Sequence, residues 1–147
     1  MPENLNKQFL KFLRENGFLV TRQRRRIAEV IFSSKGHLSV EDIQDLLRKR
    51  KISASIASIY RTLDVMVQSG LVVQHRFGKR FKRFEAARMD NHHDHLVCIH
   101  CNKVFEFRND TIEKLQVQVA AEHGFEITSH KLEIYGYCSK CKADGAK

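Results

Sequence analysis

The chain has 147 residues, a formal net charge of +9 and a pI of about 9.6. Its 42% apolar content is enough for one packed core or two small ones. No apolar run approaches the roughly 20 residues of a membrane-spanning helix, which excludes an integral membrane protein of that type. The charge is uneven. Residues 1–90 hold 19 Lys and Arg against 9 Asp and Glu, and residues 91–147 hold 7 against 8. A basic first half joined to a near-neutral second half predicts a polyanion-binding domain followed by a sensing or assembly domain.

In chain order, Leu5, Phe9, Phe12 and Leu13 are spaced for a first helix that stops by Gly17. Thr21 caps a second helix over 22–32 with Ile27, Val30 and Ile31 inward. Ser39 and Asp42 form a capping box for a third helix that runs to about Arg50. Ser55 caps a fourth through Ser69, with Ile56, Ile59, Leu63, Met66 and Val67 inward and Gly70 closing it. Segments 71–76 and 80–85 read as a hairpin turning over Phe77, Gly78 and Lys79. After a short polar stretch come strands at 95–98 and 104–107, a helix over 111–123 ended by Gly124, and a strand over 125–135.

The first half is thus four helices and a two-stranded wing, the layout of a winged helix-turn-helix whose last helix enters the major groove. With Ile56, Ile59 and Leu63 inward, Ser55, Ala57, Ser58, Tyr60 and Arg61 are left for DNA. Tyr60 suits a thymine methyl, and Arg61 suits guanine or phosphate. Basic clusters flank this helix where a winged helix meets phosphates: Arg22, Arg24, Arg25 and Arg26 on the second helix, and Lys79, Arg80, Lys82 and Arg83 on the wing.

The second half holds all four cysteines, as Cys98-Ile99-His100-Cys101 and Cys138-Ser139-Lys140-Cys141, with 36 residues between the pairs. Two C-x-x-C pairs with no leftover thiol match one tetrahedral Zn(II) site. A filled thiolate shell leaves no position for water, so the zinc is structural. The chain shows no secretory segment, and a cytoplasmic location would keep these thiols reduced. A domain of about 55 residues needs such a staple, and a dimer partner as well.

Three of the eight histidines fall in Asn91-His92-His93-Asp94-His95. On an extended backbone His93 and His95 share one face, and His92 and Asp94 share the other. One segment then feeds two nitrogen–oxygen sites suited to Fe(II), Mn(II), Zn(II) or Co(II). Read as an enzyme, the run approximates the H-x-H-x-D-H motif of binuclear metallohydrolases. The spacing is wrong, and the chain has no room for that fold. The sequence therefore reads as a non-enzyme.

Several runs resemble the ferric uptake regulator family over nearly the whole chain. They are Thr21-Arg22-Gln23-Arg24, Ser58-Ile59-Tyr60-Arg61-Thr62-Leu63, the segment from His92 to Cys101, Lys103-Val104-Phe105-Glu106-Phe107, His123-Gly124-Phe125 and the second cysteine pair. The resemblance implies an α+β protein: a winged-helix DNA-binding domain (1–84), a hinge (85–91) and a small α/β metal-binding dimerisation domain (92–147). It implies a sensing site of His37, Glu85, His93 and His95, with Glu106 able to join. It also implies an auxiliary site of His92, Asp94, Glu113 and His130. The function implied is a cytoplasmic, metal-dependent repressor of iron-uptake genes. It acts as a homodimer, or a tetramer built from it, on an A/T-rich inverted repeat, with Fe(II) as regulatory ion and Mn(II), Co(II) or Zn(II) as substitutes in vitro. The alternatives are a zinc-uptake or peroxide-stress regulator of the same family, or a zinc module that binds RNA or protein. Iron is favoured because no cysteine is left for a sensing site and because Glu, not Asp, stands at 85 and 106. Leu19 departs from the basic residue many members carry two positions before Thr21.

Overall fold

The computed structural model describes residues 2–78, 81–87 and 92–146. The chain divides into two compact units, Met1–Met89 and Asp90–Lys147. Among the described residues no helix is long and apolar enough to cross a membrane.

The first unit comprises α1 (Pro2–Glu15), α2 (Arg22–Ser33), α3 (Val40–Lys49), α4 (Ile56–Gln68), β1 (Val72–Phe77) and β2 (Phe81–Ala86). Each cap read from the sequence is made. Thr21 Oγ1 accepts from the Arg24 N–H at 3.1 Å. Ser39 and Asp42 exchange both bonds of a capping box, and Ser55 accepts from the Ser58 N–H. These bonds satisfy N–H groups that the first helical turn leaves without partners. The apolar stripes meet in one core of Phe9, Leu13, Ile27, Ile31, Phe32, Ile43, Leu47, Ile59, Leu63 and Met66, sealed by Val72 and Phe84. Phe9 and Phe32 cross edge to face.

β1 and β2 pair antiparallel from Val72↔Ala86 to Phe77↔Phe81. Phe77 is therefore the last residue of β1 and not part of the turn, a one-residue shift from the sequence reading. Lys79 and Arg80 lie outside the described residues, as do residues 88–91 of the expected hinge. Glu85 and Ala86 are the last two residues of β2. A further bridge, with Leu38 and Phe84 exchanging two 2.8 Å backbone bonds, draws the segment before α3 onto the wing.

The second unit comprises β3 (Asp94–Cys98), β4 (Val104–Phe107), α5 (Asp110–Glu122), β5 (Glu133–Gly136) and a short α6 (Ser139–Ala143) that the sequence reading lacked. The sheet order is β4-β3-β5, with β3–β4 antiparallel and β3–β5 parallel. The strand predicted over 125–135 is largely absent. Gly124, at φ +70°, ends α5 in the left-handed region, and Phe125 N–H turns back to Ala120 O at 2.8 Å. The chain then pairs only along the length that β3 offers.

Little of this unit is buried. Among its described apolar side chains only Val97, Cys98 and Cys141 are fully covered, and α5 buries none. Leu96, Phe105, Leu115, Val119, Phe125 and Ile134 remain exposed.

Candidate metal centres and nucleic-acid interface

The cysteine cluster is built by two tight structures. Cys98 ends β3. Its carbonyl accepts from Asn102 N–H at 2.9 Å, and its own N–H reaches Lys103 O at 2.9 Å. Asn102 closes the turn at φ +59°. Cys138 is the N-cap of α6, and Cys141 lies within that helix. The four sulfurs all lie within 4.8 Å of one another, and none is in a disulfide. Cys101 and Cys138 are 3.8 Å apart. A tetrahedron with Zn–S bonds of about 2.3 Å has edges of about 3.8 Å, so the cage fits that ion.

Its electrostatics are split. Backbone N–H groups of Cys101 and Cys138 draw the Cys98 thiol down to about 6. Burial, then the sulfurs of Cys138, Cys101 and Cys98, push Cys141 up to about 12. Four thiolates this close ionise together only when a cation offsets them.

Around β3 the side chains alternate. His92, Asp94, Glu113 and His130 present ligand atoms within 4.8 Å of one another. His130 Nε2 is 3.2 Å from Glu113 Oε2, and the His92 and His130 rings are 4.0 Å apart. Asp94 is 1% exposed, and neither carboxylate oxygen has a hydrogen-bond partner among the described residues. A buried carboxylate left this way is costly. A divalent cation among these four donors removes that cost, so this set also fits a metal.

On the other face, His95 pairs with Glu106 in the β3–β4 register, and His93 Nε2 is 4.0 Å from Glu106 Oε2. In the first unit the Leu38–Phe84 bridge brings His37 and Glu85 together and sets His37 Nε2 3.7 Å from Glu85 Oε2.

 His75, which belongs to none of the sites read from the sequence, joins them, with Nε2 2.7 Å from Glu85 Oε1. It lies two residues from Val73, the register partner of Glu85, on the same face of the wing. Hairpin alternation places His75 and Glu85 on one face, and the observed Phe77↔Phe81 register makes them neighbours.

On α4, Ser55, Ala57, Tyr60 and Arg61 are exposed and Ser58 is half-buried. Arg61 Nη2 donates to Ser58 Oγ at 3.3 Å. Arg22 and Arg25 are exposed on α2. Arg24 is engaged locally: it donates to Leu19 O at 2.6 Å and lies over the Phe18 ring. Arg26 pairs with Glu29. On the wing, Lys82 is exposed and Arg83 stacks on Phe81.

Comparison with known proteins gives a consistent picture. Residues 15–135 match the model of the Ferric uptake regulator family. The chain is 34% identical over 145 residues to the ferric uptake regulation protein of Campylobacter jejuni, covering 97% of this chain and 92% of that one. The ferric uptake regulator of Helicobacter pylori, whose structure reveals three functional metal-binding sites, superposes with a TM-score of 0.85 at 29% identity, over 97% of this chain and 94% of that one. A zinc-bound manganese uptake regulator superposes with a TM-score of 0.72 at 35% identity, over 89% of this chain and 98% of that one.

Proposed function

The chain belongs to the ferric uptake regulator family, and from that premise we propose that it is a cytoplasmic, Fe(II)-responsive repressor that binds DNA as a homodimer. Members of this family are metal-responsive transcriptional regulators, not enzymes.

In this reading residues 1–84 bind DNA, 85–91 form a hinge, and 92–147 hold metal and dimerise. His37, Glu85, His93 and His95, with Glu106, form the sensing site. His92, Asp94, Glu113 and His130 form the auxiliary site, and the four cysteines hold structural zinc. A bound divalent cation supplies positive charge that draws imidazole and carboxylate donors from both halves into one coordination shell. The observation that carries the reading is the presence of a nitrogen–oxygen donor group in each half: His37 with Glu85 in one, His93 with Glu106 in the other. An ion shared between them fixes the angle between the halves, and so the spacing of the two reading helices in a dimer. The apolar surface of Leu115, Val119 and Phe125 supports the dimer, since a patch this apolar marks an interface.

The donor set contains no sulfur, which suits Fe(II) and Mn(II) but also binds Zn(II). Supply in the cell then selects the ion, and the ferric uptake relatives favour iron. The test is selection of DNA from a random pool by zinc-loaded protein, with and without Fe(II) under anaerobic conditions or Mn(II) in air, followed by footprinting. The expected outcome is an A/T-rich inverted repeat protected only when regulatory metal is present. Failure to enrich any palindrome at any metal loading contradicts the reading.

A further inference from the structure

We propose that His75 is a positioning residue of the sensing site. It holds one oxygen of Glu85, leaves the carboxylate a single oxygen for metal, and thereby sets how many ligand atoms the site offers. The inference rests on Glu85 being a sensing ligand.

β1 and β2 pair Val73 with Glu85 and His75 with Arg83. His75 and Glu85 are therefore diagonal neighbours on one face of the wing, within reach of a long side chain. His75 Nε2 lies 2.7 Å from Glu85 Oε1, and the other oxygen, Oε2, lies 3.7 Å from His37 Nε2. The carboxylate thus has one oxygen committed to each side. Glu85 is only 7% exposed, so solvent is a poor substitute for either partner.

The imidazole of His75 is also held in place. It stacks on Phe77 at 5.8 Å with the planes 9° apart, and it meets the edge of His37 at 4.7 Å. Giving up a buried hydrogen bond leaves an unsatisfied group and costs more than the bond itself contributes. Glu85 therefore keeps Oε1 on His75 and presents Oε2. Hydrogen bonds to ligating carboxylates orient them, and removing such a partner typically costs about 10–100-fold in metal affinity. One oxygen in place of two also lowers the coordination number by one.

The test is Co(II) titration of zinc-loaded full-length protein, in a common His130→Ala background that weakens the auxiliary set. Four versions are compared: the parent, His75→Phe, His75→Gln and Glu85→Ala. Zinc content and far-UV circular dichroism establish that each is folded. His75→Phe keeps the stack on Phe77 but loses the bond. It is expected to bind Co(II) about 10–100-fold more weakly, with d–d bands of lower intensity because the freed carboxylate binds through both oxygens. His75→Gln can still donate to Oε1 and is expected to restore the parent affinity and spectrum. Glu85→Ala is expected to lose the site.

If Glu85→Ala loses Co(II) while His75→Phe titrates and absorbs like the parent, the positioning role is overturned and the sensing site stands. If His75→Gln fails as completely as His75→Phe, His75 is a direct ligand and the positioning role is again overturned. If Glu85→Ala binds Co(II) unchanged, the sensing assignment of Glu85 fails, and this inference fails with it.

Discussion

At the scale of single residues, the chemistry depends on donors held at short range in poorly solvated places. Cys98 is the clearest case. Its sulfur receives the Cys138 N–H at 3.4 Å and closes a cage in which burial makes the Cys141 thiol hard to ionise. Zinc binding in such cages contributes roughly 10–16 kcal/mol at neutral pH, and that free energy is folding free energy. Cys98→Ser is therefore expected to lose tight zinc and, with it, the fold of a unit that covers so few of its own apolar side chains. Metal analysis and sedimentation test this: full zinc content with an unchanged dimer contradicts it. The cysteine set was legible in the sequence because pairing of thiols needs no knowledge of the fold. The alternation of His92 and Asp94 against His93 and His95 was legible because a strand has a fixed period of two. The grouping of His37 with Glu85 came only from the family resemblance, since their approach depends on a long-range backbone bridge between Leu38 and Phe84 that leaves no local pattern.

At the scale of elements, helix limits were readable because each first turn carries its own cap, at Thr21, Ser39 and Ser55. The strand expected over 125–135 failed for the complementary reason. Strand length is set by a partner, and β3 is only five residues long. The same contrast bears on DNA. α4 exposes Tyr60 and Arg61 to the outside of the first unit, while α2 exposes Arg22 and Arg25 beside it. Arg61→Ala is expected to relax sequence preference, at a cost of about 1–3 kcal/mol for the preferred base. Arg25→Ala is expected to weaken binding to all sequences alike and to reduce the salt slope by about 1. Arg24, already bonded to Leu19 O, has less to give a phosphate. Titrations of preferred and scrambled duplexes at several salt concentrations separate the two roles. Identical behaviour of the two variants contradicts this division of labour.

At the scale of the whole molecule, the two halves have different kinds of stability. The first has a continuous apolar core. The second leaves α5 uncovered and, in the proposed assembly, depends on metal and on a second copy. In the proposed function the halves change their relation without either unfolding. In that proposal metal at the sensing site acts on DNA binding through the fraction of molecules that hold the competent arrangement. A coupling of about 1–3 kcal/mol, roughly 5–150-fold in operator affinity, is ordinary for such a switch. The most direct test is operator affinity as a function of Mn(II) or Fe(II) concentration for the wild type, His92→Ala, His93→Ala and His95→Ala, all zinc-loaded. The expected result is a metal-dependent gain of that size in the wild type, its loss in His93→Ala and His95→Ala, and most of it kept in His92→Ala. An equal metal response in all four proteins contradicts both the sensing role of the His93 and His95 face and the hinge that the metal is proposed to fix.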